Sequence, residues 1–328
     1  MENKYMDGPC VDAYIDELKD FLEKDTKAIE VVVMPDFFMD RLITLNQDIE
    51  QFTSIITDKI RRKGGSIDQI PQIDQKGGNA INVASALSAL EAKVTPIIST
   101  NEFGLKQIQH QFRSSNFDIT HIKIGPKASI TTALEFTSNK NKANVMLRDV
   151  GSLADFGPEN LNEDDYKLIE TADYVCIFNW AGTRQYGTQL ASTVFSYSKS
   201  KGKAKNYFDT ADPLPNKEKI LELIDTVLKS DNVDILSLNE NEAVSYASFL
   251  SQEIRANQSI TDFNELALLS ARVLAKQFRA RIDLHTTTFS ASLSAKYEHR
   301  VPSFNVNALR ATGAGDAWNA GKILGDAN

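Results

Sequence analysis

Six apolar runs rich in β-branched residues recur along this chain, and their spacing limits what it can fold into. They begin with IEVVVM from Ile29. They continue as KVTPIIST (93–100), DYVCIFNW (173–180), KAKNYFDT (203–210), VDILSLN (233–239) and ARIDLHTTTF (280–289). The first is apolar without alternation, as a strand must be when both of its faces are buried. Amphipathic helical stretches lie between the runs, at 82–92, 217–229 and 263–278. Strand and helix in alternation predict an α/β fold with a parallel sheet covered by helices. Two segments break the rhythm. Residues 43–76 are polar and end in KGGSIDQIPQIDQKGG, while 119–136 alternate as exposed strands do, so the two are expected to pair into a small second sheet. Ahead of the first run, Val11, Tyr14, Ile15, Leu18, Phe21 and Leu22 recur at helical spacing and predict an N-terminal helical extension over residues 1–30.

Composition enters to exclude function classes. A chain of 328 residues makes one large domain or two modest ones. Its formal net charge of −8 argues against a nucleic-acid surface, which relies on clustered Lys and Arg. The one basic cluster, Lys59, Arg61, Arg62 and Lys63, reads as a solvated loop or helix end. Cys10 and Cys176 make neither a disulfide framework nor a metal-ligand spacing, and Cys176, inside YVCIF, reads as a buried thiol. The N-terminus is charged throughout, unlike a signal peptide, and no apolar run reaches membrane-spanning length. The expectation is a soluble cytoplasmic protein with no membrane or nucleic-acid partner.

Four stretches carry polar residues where chemistry can be done. In GGNAINVASALSAL, Gly77 to Leu90, the residues Val83, Leu87 and Leu90 form the buried stripe of a helix. Asn79 and Asn82, three apart, share another face at its first turn, beside the glycine pair Gly77 and Gly78. Amides both donate and accept, so the pair suits a hydroxylated ligand, although a simple helix cap explains it equally well. Asp36 and Asp40 follow the first strand, where ligands of open parallel sheets bind; spacing does not choose between them. In LNENEA, Asn239 and Glu242 stand three apart at a strand-to-helix junction, as a pair ordering water around Mg²⁺ or as a helix cap.

The fourth stretch is RATGAGDAWNAG, Arg310 to Gly321. A turn of Gly313, Ala314 and Gly315 feeding a helix aims free backbone N–H groups at one point and makes an anion site. Asp316 lies within that first turn. Donors for a moving phosphoryl and a carboxylate to deprotonate its acceptor are the two parts that phosphoryl transfer needs. GDAWNAGK is not a Walker A loop, because five residues separate its glycines and Ile323 replaces the Ser or Thr. A dehydrogenase would need a glycine fingerprint after the first strand, where MPDFFMD stands. The four histidines, His110, His121, His285 and His299, show no ligand spacing and read as satisfied or exposed side chains.

In order and spacing, GGNAINVA (77–84), NENE (239–242) and ATGAGDAWNAG (311–321) resemble the signatures of the ribokinase-like (PfkB) carbohydrate kinases, over a span from about residue 31 to the end. The resemblance implies a three-layer fold: a central, mostly parallel sheet flanked by helices, with a small β lid near 43–76 and 119–136. It implies an ATP-binding, magnesium-dependent kinase that phosphorylates a primary hydroxyl of a sugar, nucleoside or similar small molecule, with a homodimer through the lid possible. Asp316 then corresponds to the catalytic base and Gly313, Ala314 and Gly315 to the anion hole. Asp40, Gly78, Asn79 and Asn82 correspond to the substrate end, and Asn239 and Glu242 to the vicinity of Mg²⁺ and the phosphates. The chain departs from the family at Ala311, where an acid linked in some members to a monovalent cation is usual. It departs again at Pro35, where a Gly is usual, and at LHTTTFSAS, where glycines are common. The family's further C-terminal helices, expected to wall the adenine, have no counterpart before Asn328. A nucleotide- or metabolite-binding protein of the same fold with weak or no catalysis is the alternative reading. Phe37 and Phe38 fit either the apolar face of a nucleoside base or the core.

Overall fold

Each of the six apolar runs carries a strand. The computed structural model describes residues 11–24, 27–45, 47–138, 141–256, 262–304 and 313–328. Cys10, Arg310, Ala311 and Thr312 lie outside them. In chain order the strands are β1 (Glu30–Met34), β2 (Phe38–Leu45), β3 (Gln72–Gly77), β4 (Lys93–Pro96), β5 (Ser99–Thr100), β6 (Lys123–Ile124) and β7 (Ser129–Ser138). They continue as β8 (Asn141–Asp149), β9 (Tyr174–Phe178), β10 (Lys205–Asp209), β11 (Ile235–Asn239), β12 (Arg281–His285), β13 (Phe289–Leu293) and β14 (Glu298–Pro302). The helices are α1 (Val11–Leu22), α2 (Ile49–Arg61), α3 (Asn79–Ala89), α4 (Glu102–Gln111), α5 (Glu163–Thr171) and α6 (Gly187–Lys201). After them come α7 (Ile220–Leu223), α8 (Glu240–Leu250), α9 (Gln252–Ala256), α10 (Phe263–Gln277) and α11 (Ala314–Ala327).

The large sheet runs β14-β13-β12-β11-β10-β9-β1-β4. Its pairings are parallel from β4 to β12 and antiparallel for the last two strands. Alternate residues of one strand enter opposite halves of the core. Val32 and Met34 of β1, with Val175 and Ile177 of β9, pack into one apolar cluster; Val31, Val33, Tyr174, Cys176 and Phe178 pack into the other. Two buried faces explain why these strands read as unbroken apolar runs, each fully buried Val or Ile contributing about 1.5–3 kcal/mol. Phe37 and Phe38 are both buried, so they belong to the core.

The second sheet has the order β3-β2-β7-β8. β2 follows β1 after only three residues, is antiparallel to β3 and parallel to β7. The sequence expectation for this region differs in detail. Within 43–76 only the ends are extended, because 49–61 forms α2, capped by Asp48, whose Oδ1 accepts from the Gln51 N–H at 2.8 Å. The segment 119–136 contributes strand to this sheet only from Ser129, and β8 was not expected at all. Lys59, Arg61 and Arg62 sit at the C-terminal end of α2, where the helix dipole favours positive charge. Among the described residues no helix is long and apolar enough to cross a membrane.

Candidate active site

The carboxyl ends of β1, β9, β10, β11 and β12 point to one edge of the large sheet, and the N-termini of α3, α8 and α11 meet them there. α3 starts without a capping side chain of its own, since its N-cap is Gly78 at φ 100°. Asp36, just beyond β1, supplies the cap from across the chain. Its Oδ2 accepts from the Asn79 N–H at 2.9 Å and its Oδ1 from the Ala80 N–H at 2.8 Å. The Asn179 amide, one residue past β9, adds a third bond at 2.7 Å. Asp36 is completely buried, and burial pushes its pKa up against these donors. Between the two acids that spacing left open, Asp36 is the structural one.

Capping by Asp36 fixes the first turn of α3 and so aims both asparagine side chains at one target. Asn79 donates to Asp316 Oδ1 at 2.8 Å and Asn82 to Oδ2 at 2.9 Å. Asp316 lies in the first turn of α11, which packs along α3. It is 7% exposed, and burial drives its pKa up to about 7, with Asp209 and Asp36 adding repulsion against the two amide bonds. A carboxylate balanced near neutrality has the basicity that deprotonation of an alcohol at physiological pH favours. Gly313, the N-cap of α11, adopts φ 85°, a left-handed value that costs any other residue more, and no side chain caps the helix. The amides that open α11 are therefore available to an anion.

Asp40 does not sit in the turn after β1 but inside β2, opposite Gln75 and Thr131. Its carboxylate lies over Gly77: a Cβ there would stand 1.9 Å from Asp40 Oδ2. Asp40 Oδ1 is buried without a hydrogen-bond partner, and burial raises the pKa of the group despite the Thr131 hydroxyl. An orphaned acceptor of this kind is costly unless a ligand satisfies it.

On the β11–β12 side, Asn239 and Glu242 bond each other. The Glu242 N–H donates to Asn239 Oδ1, while Glu242 accepts from the Asn239 N–H and Nδ2, all within 2.9–3.0 Å. This is a capping box at the start of α8, so the cap is what the pair forms here. Glu242 is buried, and burial with nearby Asp209 pushes its pKa well above the usual range. Asp209, at the end of β10, accepts from Asn319 Nδ2 at 2.7 Å, and Asn319 in turn accepts from Tyr207 and Ser237. Among the described residues no group of three or more His, Cys, Asp or Glu is arranged to hold a metal by itself. His285, expected to be satisfied or exposed, is neither at one ring nitrogen. Its Nδ1 is buried without a partner, its ring stacks on Trp318 at 4.7 Å, and Nε2 faces Gly315, 3.2 Å from where a Cβ would stand.

Several of these residues escaped sequence reasoning: Asn179, Asp209, His285, Asn319 and Arg148, which lies over the Phe38 ring at 4.9 Å. One signal was available. Asp209 ends β10 and Asn179 follows β9 by one residue, at the carboxyl edge of a parallel sheet, the place where its ligands bind. Asn179 and Ala211, just past β9 and β10, also have φ of 50° and 54°, strain of order 1–3 kcal/mol that collects at functional sites.

The fold has known counterparts. An adenosine kinase from Sinorhizobium meliloti is 15% identical with a TM-score of 0.67, over 92% of this chain and 88% of that one. A ribokinase from Cryptococcus neoformans var. grubii serotype A, solved with ADP, gives 15%, 0.67, 92% and 88%. An Arabidopsis thaliana ribokinase, solved with ribose and ATP, gives 15%, 0.63, 92% and 86%. At such identities the likeness is one of fold. No match was found among curated protein sequences. The family model described as pfkB family carbohydrate kinase, however, matches residues 52–327. Over that length, this chain belongs to the pfkB family of carbohydrate kinases.

Proposed function

We propose that this protein transfers the γ-phosphoryl of ATP to a primary hydroxyl of a sugar, nucleoside or related small molecule. One observation carries the reading: a buried carboxylate with a pKa near 7, Asp316, held by two amides beside an uncapped, glycine-started helix. Asp316 is the base. The incoming hydroxyl takes the place of one asparagine amide on its carboxylate, and the proton passes to the oxygen so freed as the new O–P bond forms and the bond from the γ-phosphorus to the bridging oxygen breaks, releasing ADP. The amides at Gly313, Ala314 and Gly315 hold the phosphoryl oxygens, and a donor of that type is typically worth about 3 kcal/mol. Asp40, with one unsatisfied oxygen, and Gly78, Asn79 and Asn82 bind the hydroxylated acceptor.

The residues present fit ATP and Mg²⁺. His285, whose Nε2 faces the glycine turn, carries an orphaned buried Nδ1, and Glu242 is a buried carboxylate whose ionisation an added cation favours. When bound, ATP with magnesium supplies the phosphoryl group and a leaving group whose charge is neutralised. Asn239 and Glu242 then act through water, since their direct bonds are to each other. The neighbours solved with ATP support this use of the site.

A coupled assay of ADP release over sugars and nucleosides tests the reading. Asp316→Asn is expected to lower kcat by about 10²–10⁴ with the fold intact by circular dichroism. Unchanged turnover in that variant overturns the assignment of the base. Nucleotide binding without transfer to any acceptor overturns the activity.

A further inference from the structure

Beside the acceptor residues lies a cavity of about 310 Å³ that the proposed chemistry does not use. Its walls come from three places: Arg148 and Asp149 at the end of β8, the turn from Asn179 to Arg184 after β9, and Ala211 and Asp212 after β10. It is joined to the reaction centre through three hydrogen-bonded steps. Asn179 on its wall bonds Asp36, Asp36 bonds the Asn79 N–H, and the Asn79 side chain bonds Asp316.

The charges in this cavity are arranged unequally. Each of its two carboxylates is turned onto local backbone: Asp149 Oδ1 accepts from the Gly151 N–H at 3.0 Å, and Asp212 Oδ1 from the Leu214 N–H at 3.1 Å. The two guanidinium groups have no carboxylate partner among the described residues. Arg148 lies over the Phe38 ring, and Arg184 reaches only the Pro215 carbonyl, at 3.5 Å. Some arginines of this acidic chain are matched, as Arg41 is with Asp74, Arg272 with Glu298 and Arg281 with Asp283, while others, such as Arg113 and Arg255, have no carboxylate partner among the described residues; what sets Arg148 and Arg184 apart is that both line one cavity. Two unmatched guanidinium groups at one opening, with five donors each, are suited to a phosphate or carboxylate. The strained backbone at Asn179 and Ala211, both on the cavity wall, marks the same place as built for a ligand.

We infer that the acceptor carries an anionic group, which Arg148 and Arg184 bind in this cavity while the acceptor's hydroxyl end lies at Asp40 and Asp316. This rests on the proposed function for the position of the hydroxyl, but the anion subsite itself is open to a binding test that needs no turnover. Arg148 also faces Asp36 and Asp40 electrostatically, so a purely supporting role on those acids is the competing account.

Calorimetric titration of the full chain without nucleotide separates the two. The probes are ribose, adenosine, ribose 5-phosphate, gluconate and inorganic phosphate. An anionic sugar is expected to bind at least tenfold more tightly than ribose and adenosine, and to weaken with rising ionic strength. Arg148→Ala combined with Arg184→Ala should abolish that preference and leave neutral-sugar binding unchanged. Ribose 5-phosphate against gluconate tells a phosphate from a carboxylate. Equal binding of neutral and anionic probes by the wild type overturns the inference, as does a preference that survives in the double variant. A parallel loss for neutral and anionic probes overturns it too, because support of Asp40 then explains the arginines. Arginine-dependent binding of an anionic sugar by a chain that phosphorylates nothing upholds the subsite and rejects the kinase reading alone.

Discussion

At the proposed acceptor end of the site, Asp316 accepts its hydrogen bonds from Asn79 and Asn82, which lie on a different helix more than two hundred residues away in sequence. At the proposed nucleotide end, Glu242 accepts from Asn239, three residues away in the same helix turn. Both carboxylates are buried and both have raised pKa values. The difference lies in what happens when a ligand arrives. On the proposed reading, an alcohol replaces one asparagine at Asp316, whose bonds come from side chains and not from a helix cap, so that end suits exchange. Glu242 is part of the cap that starts α8, so a cation must act on it through water or unmake the cap. One end is built to trade partners, and the other to stay closed.

If that contrast holds, the acceptor end is the more sensitive to a misplaced carboxylate. Asp40→Ala removes the unsatisfied oxygen offered to the substrate and is expected to raise the acceptor KM about tenfold to hundredfold, leaving the ATP KM alone. Gly77→Ala is the sharper version, because it deletes nothing. Its Cβ would meet the Asp40 carboxylate and push it aside, so the same KM change should follow. Steady-state kinetics with each substrate varied in turn check both. A rise confined to the ATP KM breaks the division into two ends.

At the nucleotide end a smaller effect is expected. Gln at position 242 still reaches back to the Asn239 N–H, since a capping box accepts Glu or Gln, so thermal stability should fall only by the bond from Asn239 Nδ2, about 1 kcal/mol. The other loss is the negative charge. Glu242→Gln should therefore raise the Mg²⁺ concentration needed for half-maximal rate by about tenfold, as one pKa-unit-sized interaction would. Titration of activity with Mg²⁺ reads it, and an unchanged requirement removes Glu242 from the metal's surroundings.

The same contrast explains what the sequence made visible. The parallel strands of the large sheet were legible because burial on both faces favours apolar side chains, as in YVCIF, whereas β13 and β14 alternate or lie exposed and were not read. The capping box was legible because its partners are three apart. The convergence of Asp316 with Asn79 and Asn82 could be read only as three separate motifs, since no local spacing encodes a contact between α3 and α11. Asp36 looked like any turn acid until its bonds to the start of α3 appeared. Arg148 and Arg184 were invisible for another reason: a solvent-exposed arginine at a strand end or in a turn has no pattern until two of them open onto one cavity.

The gentlest test concerns stability, and its sign follows from the raised pKa of Asp316. The folded group titrates near 7, while the unfolded one titrates near its ordinary value of 3.8. Between those limits the folded state holds a proton that the unfolded state has released, so folding loses stability as pH rises through that window. Above about pH 7 both states are ionised and the loss is complete. Asp316→Asn cannot titrate and lacks this decline, although its own amide must face one of the two asparagine donors. The variant therefore starts with a constant handicap at low pH, and gains on the wild type by at most about 1.4 kcal/mol per pH unit from about pH 4 to 7. Glu242 titrates in both proteins and cancels from the difference. Urea unfolding of the pair at four or five pH values across that range measures it. A difference that stays flat would mean that Asp316 is ionised throughout, leaving the acceptor end without the poised base that sets it apart from Glu242.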